Sequence, residues 1–121
     1  MKVVLVAVAG AAGALSRYGL GAAVGARGFP WATLGINLVG SFLLGVLWRG
    51  AQERPWPETT TVPLGLGFLG AFTTFSTFSN ETMELLRTDR ALAAGTYVAL
   101  SVVGGLLAAA AGYTAGRAFA G

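Results

Sequence analysis

Apolar residues fill four long stretches of the chain, about Val3 to Ala23, Trp31 to Trp48, Val62 to Leu86 and Ala91 to Phe119, and the polar residues gather mostly in the short gaps between them. Each stretch is close to the roughly 20 residues that a helix needs to cross a hydrocarbon core about 30 Å thick. The pattern predicts an all-α membrane protein with four transmembrane helices, about 3–23, 31–48, 62–86 and 91–119, forming a single domain over residues 1–121. Short loops leave no room for a separate soluble domain.

The third stretch breaks the pattern. Its centre, Gly70-Ala-Phe-Thr-Thr-Phe-Ser-Thr-Phe-Ser79, is crowded with hydroxyls and phenylalanines where a plain membrane span would carry Leu, Ile and Val. Within lipid, irregular and hydroxyl-rich backbone survives only when it is buried in protein or lines a water-filled cavity. The decapeptide therefore reads as a pore or binding element. Helical spacing puts Phe72, Phe75 and Phe78 on roughly one face, with Ser76 and Thr77 interleaved and Thr73 four residues before Thr77. A phenyl ring is electropositive at its edge, so rings presented edge-on can face an anion, and the neighbouring hydroxyls can donate to it. The second stretch carries a matching stripe: Asn37 lies between Thr33 and Ser41 at four-residue spacing. Polar groups in membrane spans usually face a bundle interior or cavity. No acid lies within this set to hold a cation. The alternatives are plain core packing for the rings and a helix–helix hydrogen bond for the amide.

Composition narrows the function further. Hydrophobic residues make up 55% of the 121 residues and charged residues 11%, with mean hydropathy +0.68, against roughly 25% charged in soluble domains. The apolar start outruns the 7–15-residue core of a cleavable signal peptide, so it reads as a retained helix. There is no cysteine and no histidine; disulfides, thiolate metal sites and imidazole chemistry are excluded, which leaves an enzyme few tools. No Gly-rich loop ends in Lys-Ser/Thr, so nucleotide-driven transport has no support. The net charge of +3 comes from arginines at helix ends and needs no nucleic-acid partner.

Those basic residues also bear on orientation. Alternate loops receive Lys2, Arg49, Arg54 and Arg117 on one side, and Arg17 (placed near the end of helix one), Arg27, Arg87 and Arg90 on the other. Orientation is normally set by Lys/Arg asymmetry in short loops, and four against four gives none. The balance is compatible with insertion in both directions and an antiparallel dimer. Four helices enclose little beyond their own side chains, which favours a path at a subunit interface, and two-fold dimers are the commonest oligomers. Gly104, Ala108, Gly112 and Gly116 form a small-residue stripe on helix four, with Gly10, Gly13, Ala14 and Gly21 a looser one on helix one. Such stripes permit close backbone approach, either within one subunit or between two.

These residues resemble the Fluc/CrcB family of fluoride channels. The resemblance is carried by Gly70-x-x-Thr73-Thr74-Phe75-Ser76-Thr77-Phe78, by Gly13-Ala14-x-x-Arg17-Tyr18 and by Thr33-Leu34-x-x-Asn37-x-x-Gly40-Ser41-Phe42, and it covers nearly the whole chain. It implies a fluoride-selective channel that passively exports fluoride from the cytoplasm of a bacterium, lowering its toxicity. The implied assembly is an antiparallel, dual-topology homodimer in the inner membrane, with two pores and a third helix broken mid-membrane. Phe75, Phe78 and Asn37 match the family's pore residues, Thr33, Ser76 and Thr77 its polar track, and Arg17 a vestibule arginine. A structural sodium ion at the dimer centre would be held by backbone carbonyls at Gly70 and Thr73 of both subunits. The chain departs from the family pattern at Ala11 and Ala71, where glycine is usual.

Fluoride is small and strongly hydrated, and a filter works by replacing the hydration shell with protein ligands while binding weakly enough for release. Rival readings are a small proton-coupled multidrug exporter, which would need a carboxylate deep in helix one, and a non-transporting scaffold, which leaves the Asn/Thr/Ser/Phe set without a purpose. Glu81 and Glu84 are expected to be solvated or paired with Arg87 or Arg90. Of the polar residues in helix four, Thr96, Tyr97, Ser101 and Thr114, Ser101 is expected to line the pore or, by preference, to bond its own i−4 carbonyl.

Overall fold

The computed structural model describes residues 1–25, 27–54 and 56–120, with side chains through residue 118. All regular structure among them is helical: α1 (Lys2–Val24), α2 (Trp31–Glu53), a segmented third span and α6 (Ala91–Ala120). The third span starts as α3 (Glu58–Val62), widens into a π-helical stretch (Pro63–Leu69), tightens to α4 (Gly70–Phe72) and resumes as α5 (Phe75–Arg87). Each of the four spans is long and apolar enough to cross a membrane.

Helix boundaries follow local chemistry more than hydropathy. α2 runs on to Glu53, past the apolar stretch that ends at Trp48, and an Arg49–Glu53 ion pair at 2.7 Å sits on that extra turn. The third span begins at Glu58 rather than Val62, directly after Pro57; a carboxylate in a first turn faces the positive end of the helix dipole. α1 stops where Gly25 takes φ +76°. A tight turn joins α5 to α6 through Asp89 at φ 60°, a left-handed conformation that Asp tolerates better than most residues.

Two seams hold the bundle. α2 lies against α6, and the glycine stripe of α6 serves that contact: a Cβ at Gly112 would run into the Phe42 carbonyl oxygen, and one at Gly116 would sit 2.6 Å from the Val46 oxygen. α1 lies against the π-helical stretch, where a Cβ at Gly13 would run into the Phe68 carbonyl. Of the two uses open to the α6 stripe, the structure shows the one within the chain. Leu34, Leu85, Ala94 and Tyr97 form the buried cluster where α2, α5 and α6 meet. The outer surface is apolar, with Leu15, Leu106 and Leu107 all well exposed.

Polar contacts mark the two ends of the bundle. At one, Lys2 pairs with Glu58 at 2.6 Å, the Tyr113 hydroxyl donates to Gln52 at 2.8 Å, and Arg49 lies over the Tyr113 ring. At the other, Arg87 pairs with Glu84 at 2.7 Å and Arg90 donates to the Gly28 carbonyl. Arg17 belongs to neither end. It lies seven residues before Val24, well inside α1, because the helix continues for two turns past it. The end-to-end comparison of basic residues therefore becomes Lys2, Arg49, Arg54 and Arg117 against Arg27, Arg87 and Arg90.

Candidate functional site

The site is built around the point where the third span leaves helical geometry. Thr73 (φ −84°, ψ 156°) and Thr74 (φ −154°, ψ 122°) are extended, between α4 and α5. Side chains from two neighbouring helices meet the backbone there. Asn37 of α2 accepts from the Thr74 N–H through Oδ1 at 2.9 Å and donates through Nδ2 to the Thr74 carbonyl at 3.1 Å. Arg17 of α1 donates through Nε to the Ala71 carbonyl at 3.2 Å. Thr74 then caps α5, its hydroxyl accepting from the Thr77 N–H at 3.2 Å; such a cap satisfies one of the four orphan donors of a helix start.

A cavity of about 320 Å³ opens beside this point, lined by Asn37, Ser41, Thr73, Thr74, Phe75, Phe78 and Ser101 among others. No acidic or basic side chain is among the described residues that line it. Its polar groups are hydroxyls, one amide and backbone, and its aromatic wall is the Phe75–Phe78 pair, with centroids 5.7 Å apart and planes tilted by 50°. Phe78 packs in turn on Tyr97, at 5.1 Å, and Tyr97 is fully buried. The Ser101 hydroxyl is buried without a hydrogen-bond partner among the described residues.

Of the residues singled out by sequence, Asn37, Gly70, Thr73, Phe75 and Phe78 meet at this cavity. Others stand apart. Thr33 is buried at 7% exposure and lines a different cavity, of about 470 Å³, together with Glu81, Arg27 and Arg90. Ser76 and Thr77 share an open concavity with Asn80 and Met83 on the far side of Phe75. The three phenylalanines do not share a helical face, because the extended residues re-aim the chain between the first and the other two. Phe72 is buried and stacked on Phe68 at 5.8 Å, whereas Phe75 is 78% exposed.

Two further expectations change. Ser101 does not bond its i−4 carbonyl as Thr96 and Thr114 do, at 2.9 and 3.0 Å; its hydroxyl is buried without a partner among the described residues, on a residue that lines the cavity. Glu84 takes Arg87 as expected, but Glu81 accepts from the Tyr97 hydroxyl at 2.9 Å. The sequence reading gave Thr74 no role of its own. Its signal was available, as a threonine at the head of the amphipathic stretch that becomes α5.

The fold and cavity define a four-span helical membrane protein with an uncharged, hydroxyl- and ring-lined recess at a helix interruption. Residues 4–113 match the family described as CrcB-like protein, Camphor Resistance (CrcB), and the chain belongs to that family. Among curated relatives, it is 48% identical to a "Fluoride-specific ion channel FluC" of Idiomarina loihiensis over 81% of this chain and 78% of that protein. It is 46% identical to "Fluoride-specific ion channel FluC 2" of Geobacillus kaustophilus over 97% and 94%. A third relative, the FluC of Thermus thermophilus, is 44% identical over 99% and 97%.

Proposed function

We propose that this chain is a fluoride-specific ion channel, passing fluoride passively out of the cytoplasm and so lowering its toxicity. The observation that carries the reading is the character of the recess: hydroxyls, an amide and two phenylalanine rings, with no charged side chain among the described residues that line it. A fixed cation would hold a small anion too tightly for release, and a fixed carboxylate would repel it. Neutral donors replace water around the ion without trapping it. The names of the relatives agree with this chemistry.

The finer picture belongs to the same proposal. Phe75 and Phe78 present ring edges to the ion, Ser101 and Ser41 add hydroxyls, and Thr33, Ser76 and Thr77 continue the track beyond the rings. Arg17, beside the interruption, adds positive potential to the vestibule. The functional unit is an antiparallel, dual-topology homodimer with two pores, embedded in the bilayer of a bacterial inner membrane, with the interruption of the third span at mid-membrane. Its support is the exposure of Phe75 at 78%, which a second copy would cover, and the near balance of basic residues at the two ends. A sodium ion at the dimer centre fits the donors present, since Gly70 and Thr73 both offer backbone carbonyls at the interruption and carbonyl oxygens suit hard cations.

The test is fluoride efflux from liposomes containing the purified protein, followed with a fluoride electrode beside a chloride control. Rapid fluoride loss with chloride retained is expected. Folded protein that releases neither ion would remove the channel reading.

A further inference from the structure

The two carbonyls assigned to sodium are not free by default. In a continuous helix the Thr74 N–H would bond to the Gly70 carbonyl, and the Thr77 N–H to the Thr73 carbonyl, each four residues back. Here both donors are taken by side chains. Asn37 Oδ1 accepts the Thr74 N–H at 2.9 Å, and Thr74 Oγ1 accepts the Thr77 N–H at 3.2 Å. The carbonyls from Gly70 to Thr73 all lose their helical donors at the interruption; Arg17 takes the one at Ala71, and Gly70 and Thr73 lie on the wall of the same cavity.

We infer that Asn37 and Thr74 are positioning residues that create the cation site, by diverting the two N–H groups that would otherwise occupy its carbonyl ligands. Asn37 does so from another helix and grips both polar groups of one residue, since its Nδ2 also donates to the Thr74 carbonyl at 3.1 Å. The clasp takes the amide oxygen and one of the two N–H donors that the side chain owns. Asn37 therefore serves the anion path chiefly by fixing Thr74 and the phenylalanine that follows it. Thr73 adds local help: its hydroxyl bonds back to the Leu69 carbonyl at 2.9 Å, a back-bond that tends to bend a helix. Anion path and cation site then share one structural cause, and damage to the clasp should reach both.

The inference rests on the cation reading given above, and the experiment separates the two. The full chain, purified in detergent, is unfolded by heat across a sodium series in which choline holds ionic strength constant. The quantity read is the sodium concentration giving half of the sodium-dependent rise in Tm. Thr74→Ser keeps the capping oxygen and should match the wild type. Thr74→Val and Asn37→Leu keep the shape, lose the acceptor, and should raise the half-point about tenfold or more, as loss of a group that orients metal ligands does. Unchanged half-points in both variants would overturn the inference while leaving the sodium site standing. A wild type with no sodium response overturns the cation reading and the inference together, whatever fluoride does in liposomes. If Asn37→Leu does not fold, the Thr74→Val and Thr74→Ser pair decides alone.

Discussion

The third span and α6 are built from similar residues and behave in opposite ways. Both are near thirty residues long, both carry repeated glycines, and both carry hydroxyls. α6 is one helix from Ala91 to Ala120, and its Thr96 and Thr114 hydroxyls fold back on their own i−4 carbonyls. In the third span Thr73 and Thr74 are extended between α4 and α5, and there the hydroxyl of Thr74 and the amide of Asn37 accept N–H groups that a continuous helix would use in its ladder. Glycine and threonine content does not break a membrane helix. A partner that can satisfy the released groups does, because an unpaired backbone group costs several kcal/mol in lipid.

The comparison can be pressed hardest at the glycines of α6. A methyl-sized atom at Gly112 would strike the Phe42 backbone, while a Cβ at Gly95 would meet nothing within 4 Å. Gly112→Val should force α2 and α6 apart and cost about 1–3 kcal/mol or more, read as loss of the monodisperse folded peak and a lowered Tm. Gly95→Ala should be neutral or stabilising by up to about 1 kcal/mol. Equal effects at the two positions would mean that α6 does not use its glycines for close packing.

The interruption in the third span is sharpened next by Phe78→Ile, which removes ring edges but keeps apolar bulk. Fluoride efflux should fall about tenfold or more, a barrier change of ~1.4 kcal/mol, while the protein still elutes as the same species. A scaffold would tolerate the change without loss of any activity. Ser101→Ala should separate function from folding within α6 itself. Its hydroxyl has no hydrogen-bond partner among the described residues, so stability should stay within about 0.5 kcal/mol of wild type, by contrast with the ~1 kcal/mol that a typical bonded hydroxyl contributes. Flux should drop severalfold. The smallest effect is expected at the bundle end, where Lys2→Gln removes an exposed ion pair with Glu58. Such pairs contribute little, and no measurable change in Tm is predicted.

Much of this was legible in the sequence. Four apolar stretches gave the four spans, and the hydroxyl-rich decapeptide marked the place where one of them departs from a regular helix. Asn37 was legible as a polar residue that needed a partner. The residues that escaped did so because their roles depend on what lies opposite them. Phe72 left the aromatic set because two extended threonines turn the chain between it and Phe75. Thr33 left the cavity because its buried side chain faces a different one, with Arg27, Glu81 and Arg90. Ser101 looked like Thr96 and Thr114, and only the neighbouring cavity distinguishes it. Periodicity reads one helix at a time, and these outcomes are set between helices.

The measurement that bears most directly on the account is the reversal potential of the wild-type protein in a planar bilayer, with fluoride on one side and an equal concentration of chloride on the other. A neutral, ring-edged, hydroxyl-lined path selective for fluoride predicts a reversal potential far from zero, of the sign that opposes fluoride flow down its gradient. A reversal potential near zero would mean that chloride passes as readily, and the assignment of these residues to fluoride selection would be wrong.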